Sequence, residues 1–426
     1  MVGALERTVR LRLGKGVHLT GRTTVNLKSK RAALLAAPIA LGLAACAPMT
    51  PPPAPTQLPP VNSLTANGDS FQSAVSDNGQ FVVFASDATN LVAGDTNGAT
   101  DIFLRDRMAN TLVLVSQGIG NVPANGGSSN PSISDDGAKI VFESDATNLS
   151  AGDINGVGDV FSKVGLVTTN LTGAGNSAST DASISGNGNT VVLQTFASNL
   201  TVGDTNATAD IVTVPTAGGP ATAVSSTLPN DYSEFPSISD DGTKVAFGTF
   251  ATNIGGDATN SAIVIATGGT VSPATATVAN GYVRKPAISG DGTKVAFESN
   301  ATNLFAGDTN ASRDIVIATG GVTAAATVTL GNGDAADPTL SDTGSVVAFT
   351  STSSNLAYEG NGVGDVFTAT GGTASLATGN VSANGETGEA ALSGTGGFVS
   401  FTSAATNLAA GDANGKGDVF VRDLSA

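Results

Sequence analysis

Pro131-Ser132-Ile133-Ser134-Asp135-Asp136-Gly137, followed by Lys139-Ile140-Val141-Phe142-Glu143-Ser144, decides the fold of this chain. An apolar-polar alternation runs into an Asp-Gly turn and out into a second alternating run, the signature of two antiparallel strands. The unit continues through Ala146-Thr147-Asn148-Leu149 and Gly152-Asp153 to a third strand that starts at Asp159-Val160-Phe161. The same order recurs along the chain. Aligned on the serine before the turn, the copies fall at Ser76, Ser134, Ser185, Ser239, Ser289, Ser341 and Ser393, with spacings of 58, 51, 54, 50, 52 and 52 residues. Self-similarity at such a period marks a repeat architecture in which each copy is one supersecondary unit.

Within each copy the strands are short. Val245-Ala246-Phe247 and Val295-Ala296-Phe297 place Val and Phe on one face and Ala on the other, a pattern for a sheet packed on both faces. Asn78-Gly79, Asp136-Gly137, Asp241-Gly242 and Asp291-Gly292 are hairpin-turn signals. A fourth strand is readable in the first copy as Thr111-Leu112-Val113-Leu114-Val115. Four antiparallel strands repeated seven times predict an all-β, seven-bladed β-propeller over residues 58–426. The coils of a β-helix are much shorter than these units. Ring closure is legible too. The last copy ends at Val421-Arg422-Asp423-Leu424, its third strand, while Leu58 to Leu64 precedes the first copy. Ala66-Asn67-Gly68 aligns with Ala124-Asn125-Gly126 and Ala383-Asn384-Gly385, each of which follows a fourth strand. The segment ahead of the first copy is therefore expected to supply the outer strand of the last blade and remove an open edge.

The Pro-x-Ile-Ser-Asp-Asp-Gly turn, the Lys-Ile-Val-Phe or Lys-Val-Ala-Phe strand and the Asp-Val-Phe strand start resemble the WD-repeat-like propeller repeats of the TolB family. The resemblance implies a propeller and, through the role of that family, a place in an envelope complex that binds a peptidoglycan-associated lipoprotein. Two departures weigh against carrying the role over. The residues before 58 leave no room for the family's N-terminal α/β domain, and the chain reads as a lipoprotein itself.

That reading comes from residues 1–57. Lys28-Ser29-Lys30-Arg31 leads into the uncharged run Ala32 to Leu43 and then into Ala44, Ala45 and Cys46, the tripartite order of an export signal. The run is too short to span a bilayer as an ordinary helix. Leu43-Ala44-Ala45-Cys46 resembles the lipobox of bacterial lipoproteins, which implies acylation of Cys46, removal of residues 1–45 and a lipid anchor in the membrane. Residues 46–57 form a proline-rich linker. Because 45 residues exceed an ordinary signal length, residues 1–24 read as a misassigned start, with translation beginning at Val25. Ala47 after the cysteine, in place of Asp, implies the outer membrane of a double-membraned bacterium, with the protein facing the periplasm or the cell surface.

Composition narrows the chemistry. The chain of 426 residues carries 19 basic and 35 acidic residues, one His, one Cys and no Trp. Eight of the basic residues, one acid and the only histidine, His18, precede residue 46, which leaves 11 basic against 34 acidic residues and a net of −23. Without a histidine the exported part cannot build a Ser-His-Asp triad, a Cys-His pair or a His-ligated zinc site. So acidic a chain is no partner for nucleic acid.

Oxygen groups remain. A Gly-Asp-x-Asn-x-x-x-Asp motif lies between the second and third strands, as Asp95/Asn97/Asp101, Asp153/Asn155/Asp159, Asp204/Asn206/Asp210, Asp308/Asn310/Asp314 and Asp412/Asn414/Asp418. The sixth copy has Glu359 with Asn361 and Asp365, and the fourth keeps Asp257 but loses the final acid. Such spacing suits Ca²⁺, yet three side-chain ligands fall short of the six to eight it takes, so the spacing favours Asp and Asn shaping the loop over a cofactor metal. The least repetitive residues on the same expected face are Tyr232, Glu234, Tyr282, Arg284 and Lys285, a candidate binding patch, with Glu386 and Glu389 nearby in the last copy. Glu143 and Glu298 occupy equivalent strand positions and are the carboxylates a glycoside-cleaving enzyme would need. They lie three blades apart, and no catalytic residue is assigned. The expectation is a non-enzymatic, lipid-anchored binding or scaffold module that presents an acidic face to a protein or peptidoglycan-associated envelope partner. The alternatives are a Ca²⁺-dependent adhesion or structural module and the glycoside-cleaving enzyme.

Overall fold

The computed structural model describes residues 60–425 except 63, 64, 258, 311, 358–361 and 380. The expected signal, Cys46 and the proline-rich linker lie outside the described residues, as do Glu359 and Asn361.

Seven sheets of three or four strands follow one another as up-and-down antiparallel blades, and a small two-stranded hairpin, Gln117–Gly118 with Val122–Pro123, joins the first to the second. In blade 1 the strands are β1 (Ser70–Val75), β2 (Phe81–Ser86), β3 (Asp101–Asp106) and β4 (Thr111–Leu114), paired in that order. Innermost strands equivalent to β1 are Ser128–Ile133, Ser179–Ile184, Ser233–Ile238, Val283–Ile288, Ala335–Leu340 and Thr387–Leu392. They pack against one another around a central channel.

Alternation in the second strands does what the sequence requires. Val245 and Phe247 join a core with blade 3, whereas Ala246 joins a core with blade 5. Seven buried clusters result, one at each interface between neighbouring blades, including the one between blades 7 and 1. In blades 1, 2, 6 and 7 a phenylalanine pair stacks across the second and third strands, for instance Phe84 on Phe103 with ring centroids 5.8 Å apart. Burying each such ring stabilises the fold by roughly 2–3 kcal/mol.

The turn after the inner strand is longer than a two-residue hairpin. Ser134 O–H donates to Asp136 (2.6 Å), its oxygen accepts the Lys139 N–H (3.1 Å), and Gly137 closes the turn at φ 72°. The repeated serine is therefore the brace of this turn.

Blade 7 has three strands of its own, and its fourth position is taken by Pro60 and Val61, which lie against Phe420 and Val419. Val61 N–H donates to Val419 O at 2.7 Å, as Val115 does to Ile102 in blade 1 and Leu171 to Val160 in blade 2. Closure by the preceding segment is thus present in the fold.

Candidate functional site

Each inner strand carries a β-bulge at its third residue, where the pairing register slips. The bulged residues are Gln72, Asn130, Asp181, Phe235, Lys285, Asp337 and Glu389, all with φ between 49° and 53°. Non-glycine residues seldom adopt this left-handed conformation, and for one as bulky as Phe235 it is an outlier. Seven repetitions of the same strained residue form a ring at the end of the channel where the inner strands begin. There they line an open, funnel-shaped cavity of about 350 Å³. The backbone at this ring is the same in every blade, and the side chain differs in nearly every one.

Contacts run around the ring. Glu389 accepts the Gln72 N–H (2.7 Å), and Gln72 and Asn130 exchange side-chain bonds, with Asn130 N–H reaching Gln72 Oε1 at 3.0 Å. Lys285 forms an ion pair with Asp337. Arg284 lies over the Phe235 ring, 5.3 Å from its centroid. Burial pushes the Asp181 carboxyl up, with Lys285 pulling the other way, and burial likewise raises Glu234 against the pull of Arg284.

The patch read from the sequence is brought together in part. Glu234, Arg284 and Lys285 sit on adjacent inner strands, and Lys285 belongs to the ring. Tyr232 turns toward blade 3, where its hydroxyl accepts from Gln194 (2.8 Å) and its ring meets Phe196. Tyr282 is placed by its backbone, whose N–H donates to Asn300. Sequence reasoning missed Gln72, Asn130, Asp181, Phe235 and Asp337 as members of one ring. Each ring member stands four residues before the repeated Ser, but the position before it varies as widely, so the sequence does not single the ring out.

Glu298 and Glu143 have different surroundings. Glu298, fully buried, faces Arg313 (2.9 Å), Lys285 (3.8 Å) and Arg284 (3.9 Å). Glu143 has no cation partner; burial pushes its carboxyl up to about 7, opposed by bonds from Asn130 and the Asp181 and Ala182 backbone. A pair of free carboxylates flanking one bond is not what these two residues form.

At the far end of the channel the turns make a second ring: Asp77, Asp135, Gly186, Asp240, Gly290, Asp342 and Gly394. Backbone bonds chain the turns together, such as Asp135 N–H to Gly186 O and Asp240 N–H to Gly290 O, both 3.0 Å, and Thr395 closes the circle on Asp77. The neighbouring aspartate carboxylates fill the space a Cβ would need at Gly186, Gly290 and Gly394. Burial and then the neighbouring carboxylates push Asp135 and Asp240 up to about 6 and Asp342 to about 7.

The acidic loops line the rim around the funnel. Asn97, Asn155, Asn206, Asn310 and Asn414 each donate to a carbonyl in the connection to the next blade, which fixes loops and connections on one face. On that same face seven asparagine clasps, in which one backbone N–H donates to the other side-chain oxygen, from Asn67 to Asn90 through Asn384 to Asn407, explain the repeated Ala-Asn-Gly and Thr-Asn motifs. Among the described residues no three His, Cys, Asp or Glu side chains converge as a metal cluster.

No protein-family model matches this chain, and no curated protein sequence does. Solved structures match it through shape. The β-propeller domain of the Trilobed protease from Pyrococcus furiosus, described as an open velcro topology, aligns at TM-score 0.53 and 11% identity, over 79% of this chain and 89% of that one. Oligogalacturonate lyase from Vibrio parahaemolyticus aligns at 0.54 and 12%, over 86% and 93%. TolB from Acinetobacter baumannii aligns at 0.38 and 16% over 60% of this chain, which spans about half of that protein (53%). These likenesses are of fold alone. The lyase and the protease's propeller domain share one architecture, so activity has to be argued from this chain's own residues.

Proposed function

We propose that this protein is a lipid-anchored binding or scaffold module of the bacterial cell envelope, outside the cytoplasm, which docks a partner's polypeptide segment at the funnel mouth on its acidic face. The anchor and address rest on the signal and lipobox pattern ending at Cys46. The docking reading rests on one observation: the left-handed bulge ring keeps its backbone in all seven blades while its side chains vary, from Phe235 through Lys285 to Glu389. Strained residues that a repeat retains without retaining their identity are devices for presenting side chains. A half-exposed aromatic flanked by an arginine and set among carboxylates is the composition of a recognition site.

Binding is favoured over catalysis by the surroundings of Glu298, which is tied into a cluster with Arg313, Lys285 and Arg284, the three opposing the rise that burial gives its carboxyl. The test is crosslinked capture from native envelopes with the wild-type chain and with Phe235→Gly. Glycine suits φ 51° at this position, so the variant keeps its fold while losing the aromatic contact. A partner captured by wild type and lost with Phe235→Gly supports the reading. Equal capture by both refutes it.

A further inference from the structure

The acidic loops contain polar groups that their own folding does not use. In blade 1, Asn97 is fully engaged: its oxygen accepts the Ala99 N–H (3.0 Å), and its amide donates to Asp101 (2.7 Å) and to the Ala124 carbonyl (2.9 Å). Asn155, Asn206 and Asn310 repeat the arrangement in blades 2, 3 and 5. Loop shaping, the role the sequence suggested for Asp and Asn together, therefore belongs to the asparagine. In blade 3 the first aspartate, Asp204, accepts the Asn206 N–H at 3.3 Å, and in blades 1, 2, 5 and 7 the first aspartate keeps an oxygen left over. Oδ1 of Asp95, Asp153, Asp308 and Asp412 is sealed from solvent and meets no hydrogen-bond donor. In blades 5 and 7 the last aspartate adds a second such oxygen, Oδ2 of Asp314 and of Asp418. Asp95 and Asp314 are 6% exposed and Asp418 0%, while Asp153, Asp308 and Asp412 are half-buried with the one oxygen sealed.

A buried carboxylate oxygen without a donor is costly, and proteins rarely leave one. Here the same oxygen is left in four separate loops, which makes it a property of the repeat. We infer that these loops are Ca²⁺ sites, in which the first and last aspartates meet the ion and backbone carbonyls and water complete its shell. Ca²⁺ accepts such mixed, irregular sets of oxygens, whereas Mg²⁺ demands a near-ideal octahedron. With only two carboxylates per loop, the affinity belongs with the weak extracellular class, on the order of 10⁻⁴–10⁻³ M. Blade 4 is a built-in control. Ala262 stands where the other loops place the last aspartate, and Asp257 there accepts the Thr259 N–H at 2.7 Å.

The experiment is equilibrium dialysis and thermal unfolding of the full chain, stripped with EDTA and titrated with CaCl₂ to millimolar levels. The expected result is uptake of about four ions, one for each loop whose first aspartate keeps an unpartnered oxygen, and a rise of several degrees in Tm. Asp308→Asn and Asp412→Asn should each remove one ion and part of the rise, and Asp257→Asn should remove neither. No bound Ca²⁺, an equal Tm rise with Mg²⁺ or with NaCl of matched ionic strength, or unchanged stoichiometry in both loop variants would overturn the assignment.

Discussion

Asn62 and Asp418, 356 residues apart in the chain, are joined by a buried hydrogen bond of 2.6 Å from Asn62 Nδ2 to Asp418 Oδ1. The Asn62 oxygen also accepts the Val419 N–H at 3.2 Å. Ser116 does both tasks in blade 1, donating to Asp101 and accepting from Ile102, and Thr172 does both in blade 2. Asn62 is thus the fourth-strand residue of blade 7, supplied from the other end of the chain. Asn62→Ala strips a donor from a buried carboxylate and should destabilise the ring by about 1–3 kcal/mol in chemical denaturation. Asn62→Ser should recover much of that loss. If alanine unfolds at the same denaturant midpoint as wild type, the closure does not hold the ring.

Glu298 is the hub of an ion cluster that links Arg284 and Lys285 on its neighbouring strand with Arg313 at the end of the next loop. Removing the hub leaves three cations together, balanced only by Asp337 beside Lys285 and Asp334 beside Arg313. Glu298→Ala should cost roughly 2 kcal/mol, less than a fully buried pair because the cations keep contact with water. Double-mutant cycles with Arg313→Ala should show strong coupling. Additive effects would mean that the cluster is incidental.

Carboxyls raised in the folded state make stability depend on pH. Asp135, Asp240 and Asp342 titrate at about 6, 6 and 7 in the fold, above the value near 4 of an unfolded aspartate. The folded state therefore binds more protons between about pH 4 and 7, and its stability falls as pH rises through that window. Asp77, Asp136, Asp241 and Asp291 add the negative field that drives the shift. In EDTA, Tm should be higher at pH 5 than at pH 7.5. Asp342→Asn should raise Tm at pH 7.5 by on the order of 2 °C while changing it little at pH 5. A flat profile in wild type would remove the ring's raised carboxyls from the account.

The architecture was legible because each copy repeats its own instructions. Ser134, Asp136 and Gly137 write the turn, and Val245-Ala246-Phe247 writes two faces, so period and strand order follow from local chemistry. Closure was legible because Ala66-Asn67-Gly68 repeats a linker that elsewhere follows a fourth strand. The funnel ring was not, because its members share a backbone conformation and no residue type. Gln72 and Phe235 have nothing in common until a bulge turns both toward one axis. The unpartnered oxygens of Asp95 and Asp308 were hidden for a different reason. Sequence shows which residues can donate and accept, and only the fold shows which of those groups the asparagine has already satisfied.

Site-specific photocrosslinking tests the docking claim most directly. A photoreactive residue would replace Gln72 in the funnel ring or Met108, which is 80% exposed on a turn beyond the third strand of blade 1. The account predicts that position 72 crosslinks one polypeptide in native envelopes, that position 108 does not, and that Phe235→Gly abolishes the adduct. No adduct at 72, or the same adducts from 72 and 108, would contradict it.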